Sequence, residues 1–302
     1  MKYSTIKESR LGARKINQDR VGEWSSGGAL LLAVADGLGG HAHGEIAAQV
    51  AIDFLGRAFG QEARPKLALP ERFLPRAMAA AHVAILRETE ARGLKEVPRT
   101  VLVACLVQDG IAHWAHIGDS RLYLVRKGRV HARTRDHSWV QQLVDEGRIR
   151  EEAASSHPDR NRLLQCLGGV QAPRIDVASE RLEKDDIFVL CSDGLWGPLT
   201  QRQIVHALST QPLPLAIASL LELAEARAAH EADNTSVVAM AWGEERVTLP
   251  EDGPATVPYA ELRTDVHDFT ATDMDFLRMT DEDVEKAVEE IKAALRKNPQ
   301  QR

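Results

Sequence analysis

The chain has few cysteines and few aromatic residues, and both shortages exclude classes of protein. Of its 302 residues, 3 are cysteine and 5% are aromatic. An odd number of widely spaced cysteines does not make a disulfide framework, and Cys105 and Cys191 lie in apolar runs where a reduced thiol is expected. Scarce aromatic residues and a formal net charge of -6 argue against a nucleic-acid-binding surface.

Long apolar runs are also missing. Residues 1–15 contain no apolar segment of the signal-peptide type, and no run in the chain approaches the length that spans a membrane. Together with the unpaired cysteines, these absences predict a cytoplasmic protein with no membrane partner.

Several motifs of covalent and nucleotide-dependent catalysis are absent. No cysteine has an arginine six positions later, so the chain lacks the thiolate phosphatase loop. It also lacks the Gly-x-x-x-x-Gly-Lys-Ser/Thr loop and the Gly-x-Ser-x-Gly nucleophile elbow. These exclusions leave metal-assisted chemistry with water as the nucleophile.

The apolar patterns that are present predict an α+β protein built in layers. Strand-like segments occupy 3–8, 28–35, 100–108, 111–117, 121–126, 186–191 and 236–242, and helical periodicity occupies 45–59, 72–91, 138–146 and 214–229. Asp109-Gly110 and Lys127-Gly128 are typical of hairpin turns between neighbouring strands. Such hairpins favour antiparallel sheets, with helices packed on them.

A change of composition near Trp242 predicts the domain organisation. Residues 1–243 form the predicted main domain, 244–262 a linker with acidic residues and prolines, and 263–302 a tail with one helix at 281–297. Val284 and Val288 belong to a narrow apolar stripe on that helix. A short helix with such a stripe is marginal alone, so we expect it to dock on its own domain or on a partner.

Five aspartates precede turn or loop residues, Asp19, Asp36, Asp119, Asp193 and Asp233, and three of them, Asp36, Asp119 and Asp193, follow strand-like apolar runs. A single Asp-Gly pair is common turn chemistry, and that is the simplest interpretation of any one of them. Five together indicate carboxylates gathered from distant parts of the chain around a hard divalent cation, Mg²⁺ or Mn²⁺, which prefers oxygen ligands. A competing interpretation is a zinc site formed by His41 and His43 with Asp36.

Six short segments occur in an order that resembles a known family. They are Arg14-Lys15-Ile16-Asn17-Gln18-Asp19, Ala35-Asp36-Gly37-Leu38-Gly39-Gly40-His41 with Gly44-Glu45, Ile117-Gly118-Asp119-Ser120-Arg121, Thr134-Arg135-Asp136-His137-Ser138, Cys191-Ser192-Asp193-Gly194 and Asp233-Asn234-Thr235-Ser236. The set resembles the metal-dependent protein phosphatases of the PP2C type in their bacterial serine/threonine form. That resemblance implies a central β-sandwich of two antiparallel sheets flanked by helices, and hydrolysis of phosphoserine and phosphothreonine by a metal-activated water.

The resemblance also implies a set of metal-binding residues. Two Mn²⁺ or Mg²⁺ ions would be bridged by Asp36, with the Gly37 carbonyl assisting at the second ion. Asp193 and Asp233 would hold the first ion, and Asp19 would act through a coordinated water. Asp119 would bind a third, looser metal.

Further roles follow from the same resemblance. Arg14 matches the phosphate-binding arginine, and a guanidinium suits that role because it can bond two phosphate oxygens at once. His41 is the best candidate to protonate the leaving alkoxide, and His43 is an alternative. The simplest interpretation of His41 is a loop histidine with no catalytic role. Residues 139–170 correspond to a variable flap. The implied partners are phosphoproteins of a cognate Ser/Thr kinase pathway.

The chain departs from the family pattern at three places. Gln18 stands where many relatives have glutamate, and Arg99-Thr100-Val101 stands where many have Gly-Thr-Thr. Gly197 replaces an aspartate that helps to bind the third metal, so we expect that metal to bind weakly. These departures keep open a pseudophosphatase or phosphoprotein-binding scaffold without turnover, and a metal phosphodiesterase acting on nucleotides.

Overall fold

The computed structural model describes residues 1–38, 43–154, 156–169 and 171–243, together with six helical positions of the tail at 282–283, 286–287 and 289–290. The predicted linker at 244–262 and the rest of the tail at 263–302 lie outside the described residues, as does His41.

Two five-stranded antiparallel sheets form the centre of the molecule, as the resemblance implies. The first has the order β1-β10-β9-β6-β7 and the second β2-β3-β4-β5-β8. The strands are β1 Tyr3–Arg10, β2 Arg20–Ser25, β3 Ala29–Gly37, β4 Thr100–Gln108, β5 Ile111–Ile117, β6 Arg121–Arg126, β7 Arg129–Arg133, β8 Asp176–Arg181, β9 Ile187–Cys191 and β10 Thr235–Trp242.

Helices cover the outer faces of both sheets or join their strands. They are α1 Gly44–Glu62, α2 Pro70–Ala91, α3 Trp139–Asp145, α4 Glu151–Ala154, α5 Asp193–Trp196, α6 Gln201–Thr210 and α7 Leu213–Ala228, followed by a short 3₁₀ turn at Ala229–Glu231. Among the described residues, none of these helices is both long and apolar enough to cross a bilayer.

Successive side chains of each strand point to opposite faces of its sheet, and this divides the hydrophobic core into three layers. In β3, Leu30 and Leu32 point into the space between the sheets, whereas Leu31 and Ala33 point toward α1 and α2. The period of two that puts successive side chains on opposite faces accounts for this division. The other sheet packs its outer face, including Val189, on α6 and α7. The result is a helix–sheet–sheet–helix stack.

The turns carry the backbone that their sequences predict. Asp109 and Gly110 have φ angles of 52° and 73°, and Lys127 and Gly128 have 52° and 72°. Two consecutive residues with positive φ are the signature of the tight turn that matches strand twist. The predicted cap is also present, because Ser138 Oγ accepts a hydrogen bond from the backbone N–H of Gln141 at 3.3 Å.

The tail helix is present at the positions that the structure describes. Ala287 is 9% exposed and belongs to the hydrophobic cluster formed by α1, α2 and the outer face of β3. The apolar positions Val284 and Val288 lie outside the described residues. The docking partner of the tail therefore stays a prediction.

Candidate metal centre and active-site cleft

Strand pairing brings the predicted aspartates to one end of the sandwich. Arg20 pairs with Ala35, so Asp19 and Asp36 lie at the same edge of the second sheet. In the first sheet Cys191 pairs with both Val237 and Arg121. Asp193 therefore lies close to Asp233 and Asp119, which come just before those two strands. Both sheets therefore present carboxylates at the same end.

A cleft of about 960 Å³ opens above these strand ends. Four of the five aspartates line it: Asp36, Asp119, Asp193 and Asp233. Asp19 lies beneath the cleft and is 2% exposed. The other lining residues come from the loop after β1, from the segment before β4 and from the flap. The structure thus brings together the carboxylates that the sequence scatters over more than two hundred positions.

Asp19 is buried with half of its carboxylate unsatisfied. Its Oδ2 accepts a hydrogen bond from Ser192 Oγ at 2.7 Å, whereas its Oδ1 has no hydrogen-bond partner among the described residues. Burial raises the pKa of Asp19 to about 6. A buried acceptor without a donor is uncommon in folded proteins, and it indicates a position where another group binds.

The remaining carboxylates repel one another. Burial, followed by the charges of Asp19 and Asp193, raises the pKa of Asp36 well above its ordinary value. Burial and the charges of Asp119 and Asp233 do the same to the pKa of Asp193. Like charges at short range disfavour the ionised forms, and a bound cation reverses that effect. An all-oxygen donor set with an unsatisfied atom fits Mn²⁺ or Mg²⁺.

Asp119 stands beside a strong ion pair. Burial and the charge of Asp136 raise the pKa of Asp119 to about 7. Arg121 donates to both oxygens of Asp136, at 2.9 and 2.7 Å, and its guanidinium lies 3.6 Å from the ring centroid of Trp196. The functional importance of Asp136 and Trp196 was not predicted from the sequence. They fix the position of Arg121, whose charge lowers the pKa of Asp119 less than burial and the Asp136 charge raise it.

Arg14 lies at the rim of the cleft and contacts the carboxylate group. Its Nη2 donates to Asp233 Oδ2 at 2.6 Å, and 54% of its side chain is exposed. Gly12 makes this approach possible, because a Cβ there would lie 2.3 Å from the Asp233 carbonyl oxygen, and its φ is +60°. Only glycine tolerates both conditions, so the loop after β1 can lie against the segment before β10.

Two polar residues that sequence reasoning missed hold this loop and the strand ends together. Asn234 Oδ1 accepts a hydrogen bond from the backbone N–H of Gln18 at 2.9 Å, and its Nδ2 donates to the Leu11 carbonyl at 2.9 Å. Ser192 Oγ accepts from the backbone N–H of Ser236 at 2.9 Å while donating to Asp19. Their position next to Asp193 and Asp233 in the chain was the only available signal.

The departures from the family pattern have structural counterparts. Gln18 Nε2 donates to Glu45 Oε2 at 3.2 Å, so its amide is held by a carboxylate at the start of α1. A Cβ on Gly197 would lie 2.8 Å from the Asp193 carbonyl oxygen. Any side chain at position 197 therefore displaces the backbone of a predicted metal ligand.

The histidines of the loop before α1 differ in what the structure describes. His43 is the residue before α1, has a φ of 69°, and places its Nδ1 3.6 Å from Glu45 Oε1. It is not among the described residues that line the cleft. The competing zinc interpretation and the preferred proton donor both involve His41, which lies outside the described residues, whereas the alternative donor is His43.

A second cluster of potential ligands lies at the edge of the same end. His116, His137 and Asp176 each have one ligand atom within 4.8 Å of the others, and the histidine rings stack with centroids 4.6 Å apart. His116 Nε2 is 2.8 Å from the Arg135 carbonyl, and His137 Nδ1 accepts from the backbone N–H of Gly118 at 3.2 Å.

The flap forms one wall of the cleft. Its backbone pairs with the body of the protein twice, through bridges of Ser138 with Leu163 and of Thr100 with Leu167. Asn161 and Gln165 line the cleft, whereas the guanidinium of Arg162 lies 5.0 Å from the Trp139 ring centroid. The flap therefore contributes the amide side chains of Asn161 and Gln165 to the wall of the cleft.

Comparisons with known proteins agree with this geometry. The sequence model for protein phosphatase 2C matches residues 8–231. The chain is 39% identical over 198 residues to the serine/threonine protein phosphatase PstP of Mycobacterium tuberculosis, covering 65% of this chain and 38% of that protein. It is 30% identical to the protein phosphatase PhpP of Streptococcus pneumoniae, covering 77% of this chain and 94% of PhpP.

A solved structure with bound metal is also similar. The catalytic domain of PstP in complex with two manganese ions is 32% identical, with a TM-score of 0.67, covering 79% of this chain and 97% of that domain. The present chain thus spans well under half the length of the full mycobacterial protein, in the region of its catalytic domain.

Proposed function

The chain belongs to the protein phosphatase 2C family, and from that premise we propose that it is a metal-dependent serine/threonine protein phosphatase. The observation that carries the proposal is the group of repelling carboxylates at the base of the cleft, with the unsatisfied Asp19 Oδ1 beneath it and Arg14 at its rim. Such a site has anionic ligands for cations and a cation for a phosphate, which are the two requirements of phosphoryl hydrolysis.

We assign the metal-binding residues as the resemblance implies. Asp36, the Gly37 carbonyl, Asp193 and Asp233 would hold two Mn²⁺ or Mg²⁺ ions, and Asp19 would act through a coordinated water. Asp119 would contribute to a third metal site. Binding there would be weak, because Gly197 provides no carboxylate. The support is the all-oxygen chemistry of the set and the mutual repulsion that raises the pKa values of its members.

The reaction divides between the cations and the protein. Bound divalent cations supply a water whose pKa is lowered enough to give hydroxide near neutral pH. Arg14 binds the phosphate oxygens and stabilises their charge, since its planar fork can bond two of them. Asp19 is oriented for its role by the hydrogen bond from Ser192 Oγ. His41 stays our proposed proton donor to the serine or threonine leaving group.

The proposed substrates are phosphoserine and phosphothreonine proteins of a cognate Ser/Thr kinase pathway. The cleft supports this because it is open and bordered by the flap, so that an extended peptide can reach the carboxylates. The division into a phosphatase domain at 1–243, a linker and a tail is part of the same proposal, as is the cytoplasmic location.

The test measures hydrolysis of a phosphothreonine peptide, p-nitrophenyl phosphate and bis-p-nitrophenyl phosphate, each with Mn²⁺ and with EDTA. We expect Mn²⁺-dependent turnover of the two monoesters and little turnover of the diester. Tight phosphopeptide binding without turnover would instead indicate a scaffold, and preferred diester cleavage would indicate a phosphodiesterase.

A further inference from the structure

Arg99 has a fixed backbone in the wall of the cleft. It immediately precedes β4, and its carbonyl accepts a hydrogen bond from the backbone N–H of Leu38 at 3.0 Å. The next residue, Thr100, donates through its Oγ1 to the Asp36 carbonyl at 2.8 Å and exchanges backbone hydrogen bonds with Leu167 of the flap. Arg99 therefore sits at the junction of the predicted metal site and the flap.

Arg99 lines the cleft, and its buried Nε has no hydrogen-bond partner within the described part of the chain. In that part of the chain no carboxylate forms an ion pair with it, whereas Arg14 across the same cleft is paired with Asp233. A buried donor without an acceptor is unfavourable, so such a group indicates a position where an acceptor binds.

The surroundings of Arg99 suit an anion rather than a second cation. The flap side of the cleft also presents Gln165, Cys166 and Gln171, whose amide and thiol side chains carry no charge. Burial raises the pKa of the Cys166 thiol, and the nearby Arg99 charge opposes that rise. A guanidinium in a partly enclosed, neutral wall retains most of its attraction for an incoming carboxylate or phosphate.

We propose that Arg99 is a specificity residue that binds an anionic side chain flanking the phosphorylated serine or threonine of the substrate. The inference rests on the proposed phosphatase function. Because Arg99 lines the same cleft as Asp36 and Asp193, an extended peptide whose phosphoresidue binds at these carboxylates brings its flanking side chains to Arg99. The flanking anion can be a carboxylate or a second phosphate, since both offer the two oxygens that a guanidinium binds.

The test uses phosphothreonine peptides that differ only at flanking positions, which carry alanine, aspartate, phosphoserine or lysine in turn. Both kcat/KM and Kd are measured for each peptide with Mn²⁺ present. We expect the wild type to favour an acidic over a neutral peptide by roughly tenfold, which corresponds to about 1.4 kcal/mol. The aspartate and phosphoserine peptides show which anion the site prefers.

Three variants sharpen the result. Arg99→Gln should bring the acidic-to-neutral ratio close to one, and Arg99→Glu should favour the lysine peptides. Arg129→Gln is the matched control, because Arg129 is exposed in β7 and is not among the described residues of the cleft. It should keep the wild-type ratio. A ratio measured within one variant is insensitive to partial loss of folded protein.

Two outcomes would overturn the inference. They are a wild-type enzyme that treats all flanking residues alike, and an Arg99→Gln variant that keeps the wild-type preference. If no peptide is hydrolysed, the proposed function fails, but the peptide Kd values still decide whether Arg99 selects anions.

Discussion

The acidic centre, formed by the five aspartates, and the histidine cluster, formed by His116, His137 and Asp176, lie at the same end of the sandwich. Both consist of residue types that bind metals, but they differ in how many of their polar atoms already have hydrogen-bond partners. In the acidic centre, Asp19 Oδ1 has no partner among the described residues, and burial and neighbouring carboxylates raise the pKa values of Asp36 and Asp193. In the histidine cluster, hydrogen bonds from and to the backbone already occupy one nitrogen of each ring.

Tautomers make the histidine cluster a weaker candidate for metal binding than the acidic centre. His137 Nδ1 accepts from a backbone N–H, so in the neutral ring the proton is on Nε2, which lies 3.3 Å from Asp176 Oδ2. A metal on Nε2 would require that proton to leave and the Gly118 hydrogen bond to break. The comparison teaches that unsatisfied atoms indicate a binding site better than residue types do.

The largest expected effect is on activity, when the same Asp→Asn substitution is made in the acidic centre and in the histidine cluster. Asp36→Asn and Asp193→Asn should each lower Mn²⁺-dependent kcat/KM for p-nitrophenyl phosphate at least about 100-fold, because a lost anionic ligand weakens metal binding and its charge compensation. Asp176→Asn, the matched control in the histidine cluster, should stay within a few-fold. Equal losses in all three variants would remove the distinction.

A second effect concerns the ion pair at the rim. Arg14→Ala should raise KM for phosphopeptides roughly 10- to 100-fold, as expected for loss of a hydrogen bond to a charged group. Arg14→Lys should recover little of this, because lysine keeps the charge but loses the fork. The measurement is steady-state kinetics with saturating Mn²⁺. An unchanged KM in Arg14→Ala would place the phosphate elsewhere.

A smaller effect tests the position without a side chain. Gly197→Ala should weaken Mn²⁺ binding a few-fold, because the new Cβ pushes against the Asp193 carbonyl 2.8 Å away. Gly197→Asp brings the same Cβ with an added carboxylate, so its weaker Mn²⁺-binding phase should be tighter than that of Gly197→Ala. Calorimetric titration of the two variants side by side checks this. Identical titrations would show that a carboxylate at position 197 does not reach the site.

The smallest effect is on stability. The folded pKa values of Asp19, about 6, and Asp119, about 7, lie above that of an unfolded aspartate, so the folded state holds more protons. The stability of the metal-free protein is therefore greatest below the unfolded pKa and falls as pH rises through 6 to 7. In EDTA, Tm should fall by a few degrees between pH 5.5 and pH 8, and Mn²⁺ should raise it more at pH 8. A Tm independent of pH in EDTA would contradict the electrostatic account, and Asp19→Asn should reduce the slope.

The sequence predicted the strands with strong apolar character closely. The prediction of 100–108, 111–117 and 121–126 is confirmed to the residue, because β4, β5 and β6 are buried and end at glycine-containing turns. It missed the edge strands β7 and β8, the second of which is mostly exposed, and β2, whose Gly22 is covered by the Trp24 ring. Edge strands lack the burial that produces a periodic pattern.

For the site, sequence order revealed the aspartates but not their environment. Nothing in the chain indicates that Asp136 would bind Arg121 so firmly, or that Ser192 would satisfy only one oxygen of Asp19, since both contacts join distant segments. The convergence of carboxylates could be anticipated from strand ends. The unsatisfied Nε of Arg99 could not be anticipated, because it depends on the lack of a nearby hydrogen-bond acceptor in the described part of the folded chain.

The two backbone bridges of the flap have a consequence for how this chain can diverge. The bridges fix the segment around Leu163 and Leu167, whereas the exposed stretch around Arg150 lies outside them. An insertion near Arg150 would add closure entropy of only about 0.6 kcal/mol for each doubling of loop length. The outer part of the flap can therefore be lengthened or replaced, while the segment held by the two bridges keeps its position beside the carboxylates.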